Sequence, residues 1–289
     1  MTIAISLKVN DGLVLAADSA STLIAQTPGG PEVVQVFNHA NKVLNLRKGL
    51  PIGLIMWGAG AIGRAAISTL IKDLRLRFTG ADSRHAGREH GDWRIEPEAY
   101  SIAEVAKLVR RFVFEEHYLR AFEGWPQKPP LGLIVAGYSS GGDLAEEYRI
   151  EISDEGECGE PVEVRPREQC GATWNGQPEA ISRLVLGYSP GLGDVLVELG
   201  VKPERIPGVM EVITRSLRAQ IIYDAMPIQD AIDLAEFLAD LSARFSRYTP
   251  GAVTVGGPIE IAAITKHEGF KWIQRKLYFS EEFNPEVER

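Results

Sequence analysis

The chain has 289 residues, 45% of them hydrophobic, with 31 basic and 39 acidic side chains and a formal net charge of −8. That length allows one large domain or two, each able to build a core, and the acidic balance argues against nucleic acid or an anionic membrane as partner. Two cysteines, Cys158 and Cys170, make neither a disulfide framework nor a zinc signature. No apolar run approaches the roughly eighteen residues of a membrane span. The start is neither basic nor followed by a long apolar core, so no signal peptide is expected and the cytoplasm is the consistent location.

Strands come first. Residues 3–9 and 12–17 read as a hairpin around Asn10-Asp11-Gly12, whose residues tolerate φ > 0. Gln26-Thr27-Pro28-Gly29-Gly30-Pro31 reads as a lengthened turn, followed by strands near 33–37, 42–46 and 52–57. From Gly63 to Phe78 the spacing is helical. Residues 79–98 are polar and aperiodic and read as an inserted loop. His85 and His90 lie there with no carboxylate or thiol in ligand register, so no metal is expected. Ser101-Ile102-Ala103-Glu104 is a capping box that opens an amphipathic helix running to Phe122, which Pro126 to Pro130 stop.

Residues 131–138 and 146–153 read as strands around a turn at Ser139-Ser140-Gly141-Gly142-Asp143, with a further strand near 162–165. No elbow pattern surrounds these serines, so they are not read as nucleophiles. Gly171-Ala172-Thr173-Trp174-Asn175-Gly176-Gln177-Pro178 leads into a helix over 179–186, and residues 190–222 look mostly helical. Residues 227–245 form an amphipathic helix with Pro227 in its first turn. Strands over 252–264 and 271–279 and a loose tail over 281–289 close the chain. Length and pattern alone give the class α+β.

The chemistry concentrates at the start. Removal of Met1 would leave Thr2 with a hydroxyl and a free α-amine on adjacent carbons. Such an amine has an ordinary pKa of about 7.7–8.0, so part of it is neutral near pH 7 and can take the hydroxyl proton. Most threonines after an initiator methionine are idle, so the signal needs support. Asp18 ends the apolar run Leu15-Ala16-Ala17, where the second strand should lie beside the start of the first. Lys42 heads the strand Val43-Leu44-Asn45-Leu46. An ammonium near the amine favours its neutral form, and a carboxylate would keep that ammonium charged and in place.

With Leu15-Ala16-Ala17-Asp18-Ser19, Asn41-Lys42-Val43 and Trp57-Gly58-Ala59-Gly60, this start resembles the proteasome β-subunit and HslV group of N-terminal threonine hydrolases. The resemblance implies a four-layer αββα sandwich as a single domain over 1–289, with insertions near 79–100 and 190–222. It implies Thr2 as nucleophile and base, Asp18 and Lys42 as groups tuning the amine, and the Gly58 N–H facing the developing oxyanion. It places Met56 in a pocket for an apolar substrate side chain. It implies a peptide or unfolded-protein substrate, a homo-oligomeric ring and no cofactor. No P-loop is present, so an ATP-driven unfoldase would be a separate chain.

Two places depart from that group. Its serine in a Gly-Ser-Gly turn is replaced by Gly171-Ala172-Thr173, which makes Thr173 the candidate hydroxyl substitute. Before the last strands, aligning either Thr254 or Thr249 with the group's serine leaves Gly251 or Ser246 where its aspartate belongs. Both stretches, with Val255-Gly256-Gly257-Pro258-Ile259-Glu260, resemble the bacterial ancestral β-subunit (Anbu) branch. The absent aspartate keeps two alternatives open: a weakly catalytic ring-forming scaffold, and an amidase acting on small amides rather than peptides.

Overall fold

A computed structural model gives the fold; it describes residues 2–27, 30–80 and 93–276, and for residues 24–27 and 30–31 the backbone alone. The elements run β1 (Ile3–Val9), β2 (Gly12–Ala17), β3 (Ser21–Thr27), β4 (Gly30–Phe37), β5 (Val43–Asn45), β6 (Ile52–Gly58), the short β7 (Ala61–Ile62) and β8 (Ala65–Ala66), and α1 (Ile67–Thr79). Next come α2 (Ile102–Arg110), which continues through a π-helical stretch at Arg111–Tyr118 into α3 (Leu119–Ala121), then β9 (Leu131–Gly137), β10 (Glu146–Ile152), β11 (Val162–Glu163) and β12 (Gly171–Gly176). The chain ends with α4 (Glu179–Leu186), α5 (Leu192–Glu198), α6 (Ile206–Leu217), α7 (Ile228–Tyr248), β13 (Glu260–Thr265) and β14 (Gly269–Gln274).

Two five-stranded sheets carry the core. One has the order β12-β1-β2-β13-β14 and the other β11-β10-β9-β6-β5, every neighbouring pair antiparallel. Three sets of apolar side chains hold them. Ala4, Leu15, Ala17, Val43, Ile55, Ile134 and Ala262 meet from both sheets. Ile3, Ile5 and Leu7 of β1 pack with Val185 of α4 and Ala235 and Leu238 of α7. Leu54 and Leu133 of the other sheet pack with Leu70 and Leu74 of α1 and Val105 and Val109 of α2. Each fully buried Leu, Ile or Val contributes about 1.5–3 kcal/mol.

The first strand alternates only loosely, yet all seven of its residues are buried. Its polar positions have partners instead of solvent. The Ser6 hydroxyl donates to Glu147 Oε1 at 2.6 Å, and Lys8 Nζ donates to the Arg167 carbonyl at 2.6 Å. The capping box at Ser101 forms as the sequence predicts, with Ser101 Oγ accepting from the Glu104 N–H.

Several expectations are corrected. The lengthened turn is a hairpin whose strands β3 and β4 begin at Ser21 and end at Phe37. Residues 171–176 are strand β12, paired along β1. The strand expected over 252–264 is regular only from Glu260. In the expected loop, residues 81–92, His85 and His90 among them, lie outside the described residues. Trp93 and Ile95 beside them are buried in the helix-side core, because both are large and apolar. The stretch 190–222 is mostly helical, as expected, and carries α5 and α6, neither with a buried residue.

Candidate active site

Antiparallel order brings distant pieces of sequence to one end of the sheets. The head of β1, the end of β2, the head of β13 and the end of β14 coincide there, together with the end of β12. In the facing sheet, β5 starts where β6 ends: Val43 lies opposite Ile55, and the Met56 N–H donates to the Lys42 carbonyl at 3.0 Å. Thr2, Asp18, Lys42 and Gly58 therefore share this end, and all but Gly58 are buried.

Asp18 is its centre. The carboxylate is fully buried and accepts four hydrogen bonds. Oδ1 takes the Ile3 N–H at 3.0 Å and Lys42 Nζ at 2.6 Å. Oδ2 takes the Ala20 N–H at 3.1 Å and the Gly256 N–H at 2.9 Å. A carboxylate satisfied this way stays where the backbone puts it. Burial pulls the Lys42 ammonium below the ordinary lysine range, while the attraction of Asp18 works against that pull. One carboxylate oxygen thus joins a desolvated cation to the N–H of the Thr2–Ile3 peptide link.

Thr2 is 4% exposed. Its carbonyl accepts the Gln177 N–H at 2.8 Å. Gly176 has φ +94°, and a Cβ there would meet the Thr2 carbonyl oxygen at 1.9 Å, so only glycine lets β12 close on the head of β1. Ala4 lies between the sheets and Ile3 on the helix side; strand alternation puts Thr2 on Ala4's side, facing the other sheet. Gly58 has φ +88°, and a Cβ there would meet the Pro130 carbonyl at 2.4 Å. Met56 is 4% exposed and packs in the core beneath α1, because alternation along β6 turns it away from the facing sheet.

Thr173 is not brought to this end. It lies opposite Ser6, four residues along β1 from Thr2, or about 13 Å at roughly 3.3 Å per residue. The residue on its strand nearest Thr2 with a side chain on the same face is Asn175, opposite Ala4, whose amide nitrogen is buried with no hydrogen-bond partner. Thr254 likewise has a buried, unpartnered hydroxyl and lines a 410 Å³ cleft with Gln177, Ser242 and Phe245. Glu260 and Lys276, neither marked as a site residue by the sequence, also stand at this end. Glu260 opens β13 opposite Ala17, is 1% exposed, and its Oε2 accepts the Lys42 backbone N–H at 3.3 Å and stands 3.4 Å from Lys276 Nζ. Glu260 had one signal, a charged residue inside the apolar run Pro258-Ile259-Glu260-Ile261, and Lys276 had none.

Neither a family model nor a curated protein matches the sequence. Among solved structures, the chain is similar to the Anbu (Gly-1) mutant from Hyphomicrobium sp. strain MC1, with a TM-score of 0.52 and 16% identity over 98% of this chain and 91% of that one. The chain has the Anbu fold. Anbu (ancestral beta-subunit) from Yersinia bercovieri gives a TM-score of 0.47 and 12% identity, over 95% of this chain and 87% of that one. Among the described residues no group of three or more His, Cys, Asp or Glu could hold a metal ion, and no helix is long and apolar enough to cross a membrane.

Proposed function

We propose that this chain is a proteasome-like N-terminal threonine hydrolase of the ancestral β-subunit branch, cutting peptide or amide bonds once Met1 is removed. The Thr2 hydroxyl oxygen adds to the scissile carbonyl carbon, and its proton passes to the neutral α-amine. The carbon–nitrogen bond breaks as that proton reaches the leaving amine, and an ester on Thr2 remains. Water then adds to the ester carbonyl, the acid product departs, and Thr2 is regenerated. The Gly58 N–H faces the oxyanion in both additions.

The observation that carries this reading is the Asp18 carboxylate, which binds both the N–H beside Thr2 and the Lys42 ammonium. A cation held there keeps the amine neutral near pH 7. The three apolar cores support a four-layer sandwich of helices, two sheets and helices. A homo-oligomeric ring and an unfolded-protein substrate belong to the same reading. The test is turnover of a fluorogenic peptide set by wild type and by Thr2→Ala: the account expects hydrolysis that the substitution abolishes. Equal turnover by both sinks the nucleophile assignment, and turnover of small amides without peptides moves the reading to an amidase.

A further inference from the structure

We propose that Glu260 and Lys276 are a positioning pair for the Thr2 site, so that the two C-terminal strands build the site together with the N-terminal hairpin. The inference rests on the assignment of Thr2 as nucleophile.

Lys276 follows β14 and is 8% exposed. Its ammonium donates to the Ser19 hydroxyl and to the Ala40 carbonyl and pairs with Glu260. Ser19 is the neighbour of Asp18, and Ala40 precedes Lys42 by two residues. The Ala40 N–H in turn donates to the Ser19 carbonyl at 2.9 Å, and the Ser19 hydroxyl donates to the Pro258 carbonyl. One ammonium thus ties the segment bearing Asp18 to the segment bearing Lys42. Glu260 ties the same ammonium to the backbone of Lys42.

The charges alternate: Asp18, Lys42, Glu260 and Lys276 are all buried and sum to zero. Asp18, Glu260 and Lys276 all bear on the Lys42 charge, and Glu260, Asp18 and, by the same repulsion, Lys42 bear on that of Lys276. A buried lysine at a strand end is unfavourable for stability alone, and an apolar side chain would serve packing better. Its contacts make sense as alignment. Lys276 bonds to Ser19, Ala40 and Glu260, and so acts through the segments that carry Asp18 and Lys42.

The test compares the pH dependence of kcat/KM for wild type, Lys276→Met, Glu260→Gln and the double variant. Lys276→Met leaves Glu260 uncompensated beside Lys42, so the Thr2 amine loses its proton at higher pH and the acid limb moves up by about half a unit or more. Glu260→Gln leaves Lys276 uncompensated and moves the limb down. The double variant restores the zero sum and returns the limb to its wild-type position. Opposite shifts that cancel are what loosened packing does not produce. If Lys276→Met does not fold, the shift of Glu260→Gln and its cancellation in the double variant decide. Limbs that stay at the wild-type pH while kcat/KM falls, or a double variant no better than the singles, overturn the proposal. Wild type without turnover sinks the Thr2 assignment instead. The pair is then judged by urea unfolding, where the double variant must lose less than the two singles summed.

Discussion

Replacing Asp18 with asparagine keeps the shape of the side chain and removes its charge. The residue accepts four hydrogen bonds through two oxygens, and asparagine offers one oxygen. If that oxygen keeps Ile3 and Lys42, the amide nitrogen faces the N–H groups of Ala20 and Gly256. Each buried donor left without an acceptor costs about 1–3 kcal/mol. Breaking a buried ion pair from one side costs about 3–5 kcal/mol, a figure that overlaps the first because Lys42 loses its counter-charge in the same change. A total of about 4–8 kcal/mol follows, a large share of the roughly 5–15 kcal/mol by which a folded protein exceeds its unfolded state. With m of about 3 kcal/mol/M, urea unfolding of Asp18→Asn should show a midpoint lower by more than about 1 M. Adding Lys42→Met removes the stranded cation, so the double variant should be more stable than the sum of the singles predicts. A single-variant midpoint within about 0.3 M of wild type, or strict additivity, would refute the argument.

Four further outcomes are expected. Gly176→Ala drives a Cβ into the Thr2 carbonyl at a positive φ, so it should destabilise the fold by about 1–3 kcal/mol and abolish turnover, read by thermal unfolding and peptide hydrolysis. The activity of wild type should be bell-shaped in pH: it rises as the Thr2 amine loses its proton below the ordinary range of about 7.7–8.0 and falls as Lys42 loses its own below the ordinary lysine value. Because the folded state holds fewer protons on Lys42 than the unfolded chain does, its contribution to stability rises with pH between its lowered pKa and 10.5. Thr173→Ala, opposite Ser6 and far from Thr2, should leave kcat/KM within about twofold of wild type.

The hairpin at the start, α7 and the capping box at Ser101 were legible because each rests on local spacing: two residues per repeat, 3.6 per turn, or a cap reaching three residues ahead. The position of Asp18 was legible because the end of β2 must fall beside the head of β1, whereas Lys42, at the head of a strand in the other sheet, came only from the family resemblance. Glu260 and Lys276 were not, because their roles arise only when β13 pairs with β2, bringing residues 218 positions apart into hydrogen-bond contact. Thr173 was misplaced for the same reason. Its motif was visible, but the register of β12 on β1 carries Asn175, not Thr173, towards Thr2. The burial of Ser6 and Lys8 was equally hidden, since their partners Glu147 and Arg167 lie on the far side of the sequence.

The central claim is that the α-amine and hydroxyl of Thr2 act together beside Asp18 and Lys42. It is tested most directly by intact mass and peptide mapping of the purified protein before and after treatment with a β-lactone. The account predicts a chain lacking Met1 that gains one acyl group, mapped to Thr2 and absent in Thr2→Ala. A chain that keeps Met1, or one that carries the acyl group elsewhere or not at all, contradicts it.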